Sequence, residues 1–73
     1  MRDIKLKDIK VGMDTELGFV VGVYGDVFDV VSSVDEFRDY INDDYDYEMD
    51  IDQYALEGFE DTTVRVYGMV SNF

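Results

Sequence analysis

Eighteen carboxylates, with no histidine and no cysteine, set the chemistry open to this chain. From Asp44 to Asp52 every second residue is an acid (Asp44, Asp46, Glu48, Asp50, Asp52), with Tyr45, Tyr47, Met49 and Ile51 between them. On an extended chain, period two sends the acids to one face and the apolar residues to the other. Same-face side chains on a strand stand about 6.6–6.8 Å apart. Phosphates along one DNA strand rise about 3.4 Å each and lie roughly 6–7 Å apart along the winding backbone. A row of carboxylates at that spacing presents the charge of a nucleic-acid strand. The segment also fits a helical face through Tyr47, Ile51, Tyr54 and Ala55, and the acids then spread around a cylinder. The local negative field is common to both geometries.

Other chemistries are less well served. Without His or Cys there are no disulfides, no thiolate nucleophile, no zinc site of the usual ligand type and no imidazole base. No serine has such a base to activate it. A carboxylate pair working as acid and base needs one member buried with a raised pKa, and these acids read as exposed. Gly22-Val23-Tyr24-Gly25 lacks the lysine and the following helix of a phosphate cradle. The chain is expected to be non-enzymatic and to need no cofactor. A calcium loop counted from Asp46 has acids at its first, third, fifth and twelfth places (Asp46, Glu48, Asp50, Glu57). Its sixth place, where the sharp turn wants Gly, is Ile51, so weak divalent-cation binding is the expectation there and not a built EF-hand.

The elements that must position this ladder are short, since 73 residues make one domain, here 1–73. Disorder would require low hydrophobicity beside the high charge, and 47% hydrophobic residues rule that out. Charge is concentrated in the middle: residues 35–61 carry twelve acids and one base, whereas residues 1–34 carry six acids and four bases. Apolar alternation predicts a strand or extended arm around Ile4 and Leu6, and a second through Ile9, Val11 and Met13. A β-rich run covers Leu17 to Tyr24. Gly25-Asp26 predicts a hairpin turn into Val27–Val31, and Thr62 to Val70 predicts a last strand, whose free edge would permit dimerisation. Ser33-Val34-Asp35-Glu36 is a capping box. Val34, Phe37, Tyr40 and Ile41 then share a helical face, and Asn42 is the stop. The element before the last strand reads as either strand or helix; a helix would run from Ile51 to Glu57, with Asp50 as N-cap, Gln53 closing its box and Gly58 ending it. Together these give an α+β domain: a small antiparallel sheet of about four strands with one or two short helices.

Small size, a net charge of −12, and acids interleaved with tyrosines on such a domain resemble the DNA-mimic inhibitors of phages and mobile elements. These are the anti-CRISPR and antirestriction proteins. The resemblance is one of character and covers chiefly residues 35–61. It implies that Asp43, Asp44, Asp46, Glu48, Asp50 and Asp52, with Glu57, Glu60 and Asp61, enter the basic DNA channel of a defence nuclease or effector. Tyr45 and Tyr47 would make partner contacts, as tyrosine does at interfaces. The alternative is an acidic interaction module that docks on a basic protein without imitating DNA, and the third reading is a divalent-cation binder. Such a field repels nucleic acid and anionic membranes, so neither is an expected partner. No apolar run approaches the roughly 18 residues of a membrane span, and Met1 to Lys5 lacks a signal-peptide core, so the expected location is the cytoplasm.

Overall fold

The computed structural model describes residues 1–70. The chain forms strands β1 (Arg2–Lys5), β2 (Met13–Thr15), β3 (Gly18–Val23), β4 (Val27–Val31), β5 (Asp52–Ala55) and β6 (Thr63–Met69). A single 3-10 turn, Leu6–Asp8, follows β1, and helix α1 (Val34–Ile41) joins β4 to β5. All neighbours in the sheet are antiparallel, in the order β1-β6-β2-β3-β4-β5. The sheet has six strands where about four were expected, because the edge strands β1 and β5 owe their conformation to pairing with β6 and β4. Strand β6 lies inside the sheet order, with β1 paired to Thr63–Val66 on one side and β2 to Val66, Gly68 and Met69 on the other. Within the chain, β1 thus covers Thr63–Val66 of the edge expected to permit dimerisation.

Each face of the sheet carries its own core. On one face Leu6, Ile9, Met13, Val20, Phe28, Val30, Leu56, Val64 and Val66 pack together. They are covered by the chain's own loops: the Leu6 amide donates to the Thr62 carbonyl at 2.8 Å and the Lys7 amide to Glu60 at 3.0 Å. On the other face Val21, Val31, Phe37 and Val70 are buried, with Val34, Tyr40, Ile41 and Met49 packed against them. A bulge in β3 changes which of its residues share a face, because the β3–β4 register shifts between Val20 and Gly22. Val20 and Val23, three residues apart, thus reach the same core while Val21 faces the other.

Local signals close the turns. Gly25, with φ of 85°, takes the left-handed conformation that the β3–β4 hairpin requires. Between β2 and β3 the buried Thr15 hydroxyl donates to the Gly18 carbonyl at 2.9 Å and accepts the Leu17 amide at 3.1 Å. Helix α1 begins at the predicted cap, where the Ser33 hydroxyl accepts the Glu36 amide at 3.1 Å. Glu36 returns its carboxylate to the hydroxyls of Ser32 and Ser33, at 2.8 and 3.1 Å. At the other end Asn42 is the C-cap. The Asp43 amide reaches the Tyr40 carbonyl and the Asp44 amide the Asp39 carbonyl, which is a Schellman closure. Its left-handed residue, usually glycine, is Asp43, with φ of 53°.

Candidate functional site

The connector from Asn42 to Ile51 leaves the Schellman turn and returns alongside α1 to place β5 beside β4. Residues 44–51 have no regular secondary structure, and of the alternating acids only Asp52 lies in a strand. The expected apolar face is not buried as a unit. Met49 packs half-buried on the helix-side core, while Tyr45, Tyr47 and Ile51 remain 38%, 46% and 39% exposed. A straight ladder would need strand partners along its whole length, and β4 offers them only to Asp52–Ala55.

Of the two readings of the segment after the connector, the strand forms over Asp52–Ala55 and the helix over 51–57 does not. Asp52, Gln53, Tyr54 and Ala55 pair with Val30, Asp29, Phe28 and Val27, and the Leu56 amide continues the ladder to the Asp26 carbonyl at 2.8 Å. The outer edge of β4 carries backbone donors and acceptors over a packed core, and β5 satisfies them. A predicted capping box is worth too little to compete. Gln53 instead donates from Nε2 to Asp29 Oδ1 at 3.0 Å across the strand pair, and Gly58 (φ of 87°) sits in the turn after β5. The calcium-loop register is broken by the same strand, which separates Asp46, Glu48 and Asp50 from Glu57. Among the described residues no group of three or more acids is arranged to hold a metal ion.

The predicted acids fall into two groups at opposite ends of β5. Asp43, Asp44, Asp46, Glu48, Asp50 and Asp52 are exposed on the connector and the start of β5. Glu57, Glu60 and Asp61 lie in the loop that joins β5 to β6. There Asp61 pairs with Lys5 at 3.5 Å. The Glu60 carboxylate accepts its own amide and that of Gly58, and these bonds hold its pKa below the usual carboxylate value. The only other ion pair among the described residues is Arg65–Asp3, at 3.3 Å. Every acid from Asp35 to Asp52 therefore lacks a basic partner among them.

What the connector does assemble is a row of tyrosines. The Tyr24 and Tyr40 hydroxyls bond at 2.8 Å. Tyr45 lies nearly parallel to Tyr40, with centroids 6.2 Å apart and planes at 6°. Tyr47 meets Tyr45 at 67°, again at 6.2 Å, and its hydroxyl donates to Asp39 Oδ2 at 2.7 Å. Gly22 makes the first contact possible, because a methyl at that position would overlap the end of the Tyr24 ring. The bond from Tyr24, with burial next, pushes the Tyr40 phenol from 10.0 up to about 12. The bond to Asp39, followed by desolvation and the charges of Asp39, Glu36 and Asp35, does the same for Tyr47. Sequence reasoning singled out Tyr45 and Tyr47 but not Tyr24, Asp35, Glu36 or Asp39 as members of this surface. The bare Gly22 two residues before Tyr24 was the available signal, and it reads as a turn or bulge until the helix is placed above it.

A second feature lies on the opposite side of the sheet. Leu6, Leu17, Phe28, Tyr54, Ala55 and Phe59 line an apolar cleft of about 300 Å³. Tyr54 stacks there on Phe28, with centroids at 5.5 Å. Among the described residues no helix is long and apolar enough to cross a membrane. No family model, curated protein or solved structure matches the chain.

Proposed function

We propose that the protein is an inhibitor whose helix α1 and following connector occupy the basic nucleic-acid-binding surface of a host defence nuclease or effector, excluding DNA. The observation that carries this reading is the set of acids from Asp35 to Asp52, crowded on one helix-and-connector unit with no basic partner among the described residues. Like charges held this close destabilise the fold, and interspersed lysines would serve solubility at less cost. Asp43 adds to that cost, since it holds a backbone conformation better suited to glycine. Local rules broken in this way tend to mark functional positions. A concentrated negative field steers a basic surface into contact and raises the association rate at low salt. The imitation lies in charge density and not in strand-like spacing, since the connector is irregular.

The second reading, an acidic interaction module that does not compete with DNA, draws on the tyrosine row. Tyr45 and Tyr47 are exposed, with Tyr47 tied down through its hydroxyl, as anchors of an ordinary interface would be. Capture from bacterial lysate by the tagged protein, at low and moderately high salt, tests the two. Recovery of a nuclease or effector that duplex DNA displaces and salt weakens supports the inhibitor. A captured partner that binds DNA and this protein together favours the module. Enrichment of no nucleic-acid-binding protein over a charge-matched acidic control removes the mimic reading. Charge reversals from Asp43 to Asp52 should give losses that accumulate under mimicry, and losses confined to Tyr45 or Tyr47 under the alternative.

A further inference from the structure

We infer that the corner between Tyr45 and Tyr47 is a receptor for an arginine side chain of the basic partner. The inference rests on the reading, shared by both functions above, that this face meets a basic surface. It adds the chemistry by which a cation is selected. The two rings meet at 67° with centroids 6.2 Å apart, and both are open to solvent. They form two aromatic walls of differing direction, the arrangement that favours a cation held over ring faces.

The walls are fixed before any ligand arrives. Tyr47 is anchored by its hydroxyl on Asp39 at 2.7 Å, and Tyr45 is backed by the parallel Tyr40 ring. Tyr40 in turn is held by Tyr24 at 2.8 Å and packs on the helix-side core. With the Tyr47 hydroxyl already committed, what that side chain offers a ligand is its ring face. Asp39, whose Oδ2 accepts the Tyr47 hydroxyl, puts a carboxylate beside the corner that can take an outer N–H group of a guanidinium. Arginine fits this combination better than lysine. Its guanidinium is planar, stacks on aromatic faces, is weakly hydrated and presents a fork of donors to carboxylates, whereas an ammonium is a compact, strongly hydrated point charge.

The test uses the intact protein with an arginine-rich and a lysine-rich peptide of equal length and charge. Affinity is measured at one ionic strength, and aromatic resonances are followed by NMR. The arginine peptide should bind about two- to fivefold more tightly, at most the worth of an exposed cation–π contact. The largest shifts should fall on Tyr45 and Tyr47, and not on Tyr67, which is exposed on β6. Replacing the rings by Tyr45→Leu and Tyr47→Leu should erase the preference while leaving the salt-dependent part of binding. Tyr47→Phe keeps the ring but frees it from Asp39, so it should weaken the preference without reversing it, whereas Tyr67→Leu should leave it unchanged. Equal affinity for the two peptides, or a preference that survives loss of both rings, overturns the inference. A DNA-displaced target recovered without any arginine preference would leave the inhibitor reading standing and this one refuted. An arginine preference without DNA competition would do the reverse.

Discussion

Two glycines four residues apart in β3 should respond to the same substitution in opposite ways. Gly18 has φ of 132°, and a methyl there would lie 2.7 Å from the Val31 carbonyl oxygen and 3.1 Å from Val30 Cβ. Gly18→Ala must therefore hold an unfavourable backbone, at about 1–3 kcal/mol. It must also push apart a packed strand pair, at roughly 1–3 kcal/mol. The unfolded chain loses freedom as well, which returns about 0.4–1 kcal/mol. The net loss is about 1–5 kcal/mol, from a total that for 73 residues is roughly 4–11 kcal/mol. At Gly22 the backbone is unstrained, and an added methyl meets only the end of the exposed Tyr24 ring, which can swing away. Gly22→Ala should forfeit the exposed Tyr24–Tyr40 bond, about 0.5–1 kcal/mol, against a similar entropic gain. Its stability should stay within about 0.5 kcal/mol of the parent. Urea unfolding followed by far-UV circular dichroism separates the cases, with a midpoint shift of about 1–5 M for Gly18→Ala at a slope of about 1 kcal/mol per M, and almost none for Gly22→Ala. The Gly22 variant should instead let the Tyr40 phenol fall from about 12 toward 10.0. A loss at Gly22 equal to that at Gly18, or a neutral Gly18→Ala, would refute the reasoning.

Asp43→Gly should stabilise the fold by about 0.5–1 kcal/mol by relieving the left-handed turn, measured by urea midpoint, while weakening binding of a basic partner. Phe37→Ala empties a fully buried site beneath α1 and should cost about 3–5 kcal/mol, read from the same unfolding curves. Thr15→Val leaves the Leu17 amide and Gly18 carbonyl without their side-chain partner and should cost about 1–3 kcal/mol. In an alkaline absorbance titration, two of the six tyrosines should ionise late, near 12, and Tyr47→Phe should remove one of them. Because folding raises these two pKa values, the stabilisation is complete below about pH 10 and is lost as pH climbs toward 12. A stability that stays flat between pH 10 and 12 would contradict this.

Several features were legible in the residues alone, because a few neighbouring groups decide them. Gly25-Asp26 makes the β3–β4 hairpin since only its backbone needs φ above zero, and Ser33 caps α1 because its hydroxyl reaches the third amide beyond it. The stop at Asn42 and the strands over 18–23, 27–31 and 63–69 follow from the same short-range chemistry. The charge, and its concentration in residues 35–61, is a property of composition that no fold alters. Tertiary structure decided the rest, through partners remote in sequence. Residues 52–55 carry a helix signal but form β5, because the open edge of β4 offers hydrogen bonds that a short solvated helix cannot match. β6 is interior because β1, some sixty residues earlier, pairs with Thr63–Val66 on its outer side. The even acidic ladder loses its extended geometry, since residues 44–51 form an irregular connector and only Asp52 enters β5. Glu60 and Asp61 are held apart from it beside the 3-10 turn. The tyrosine row exists only because α1 lies over Gly22 and brings Tyr40 to Tyr24. No periodicity within the connector encodes a contact made across two elements of the fold.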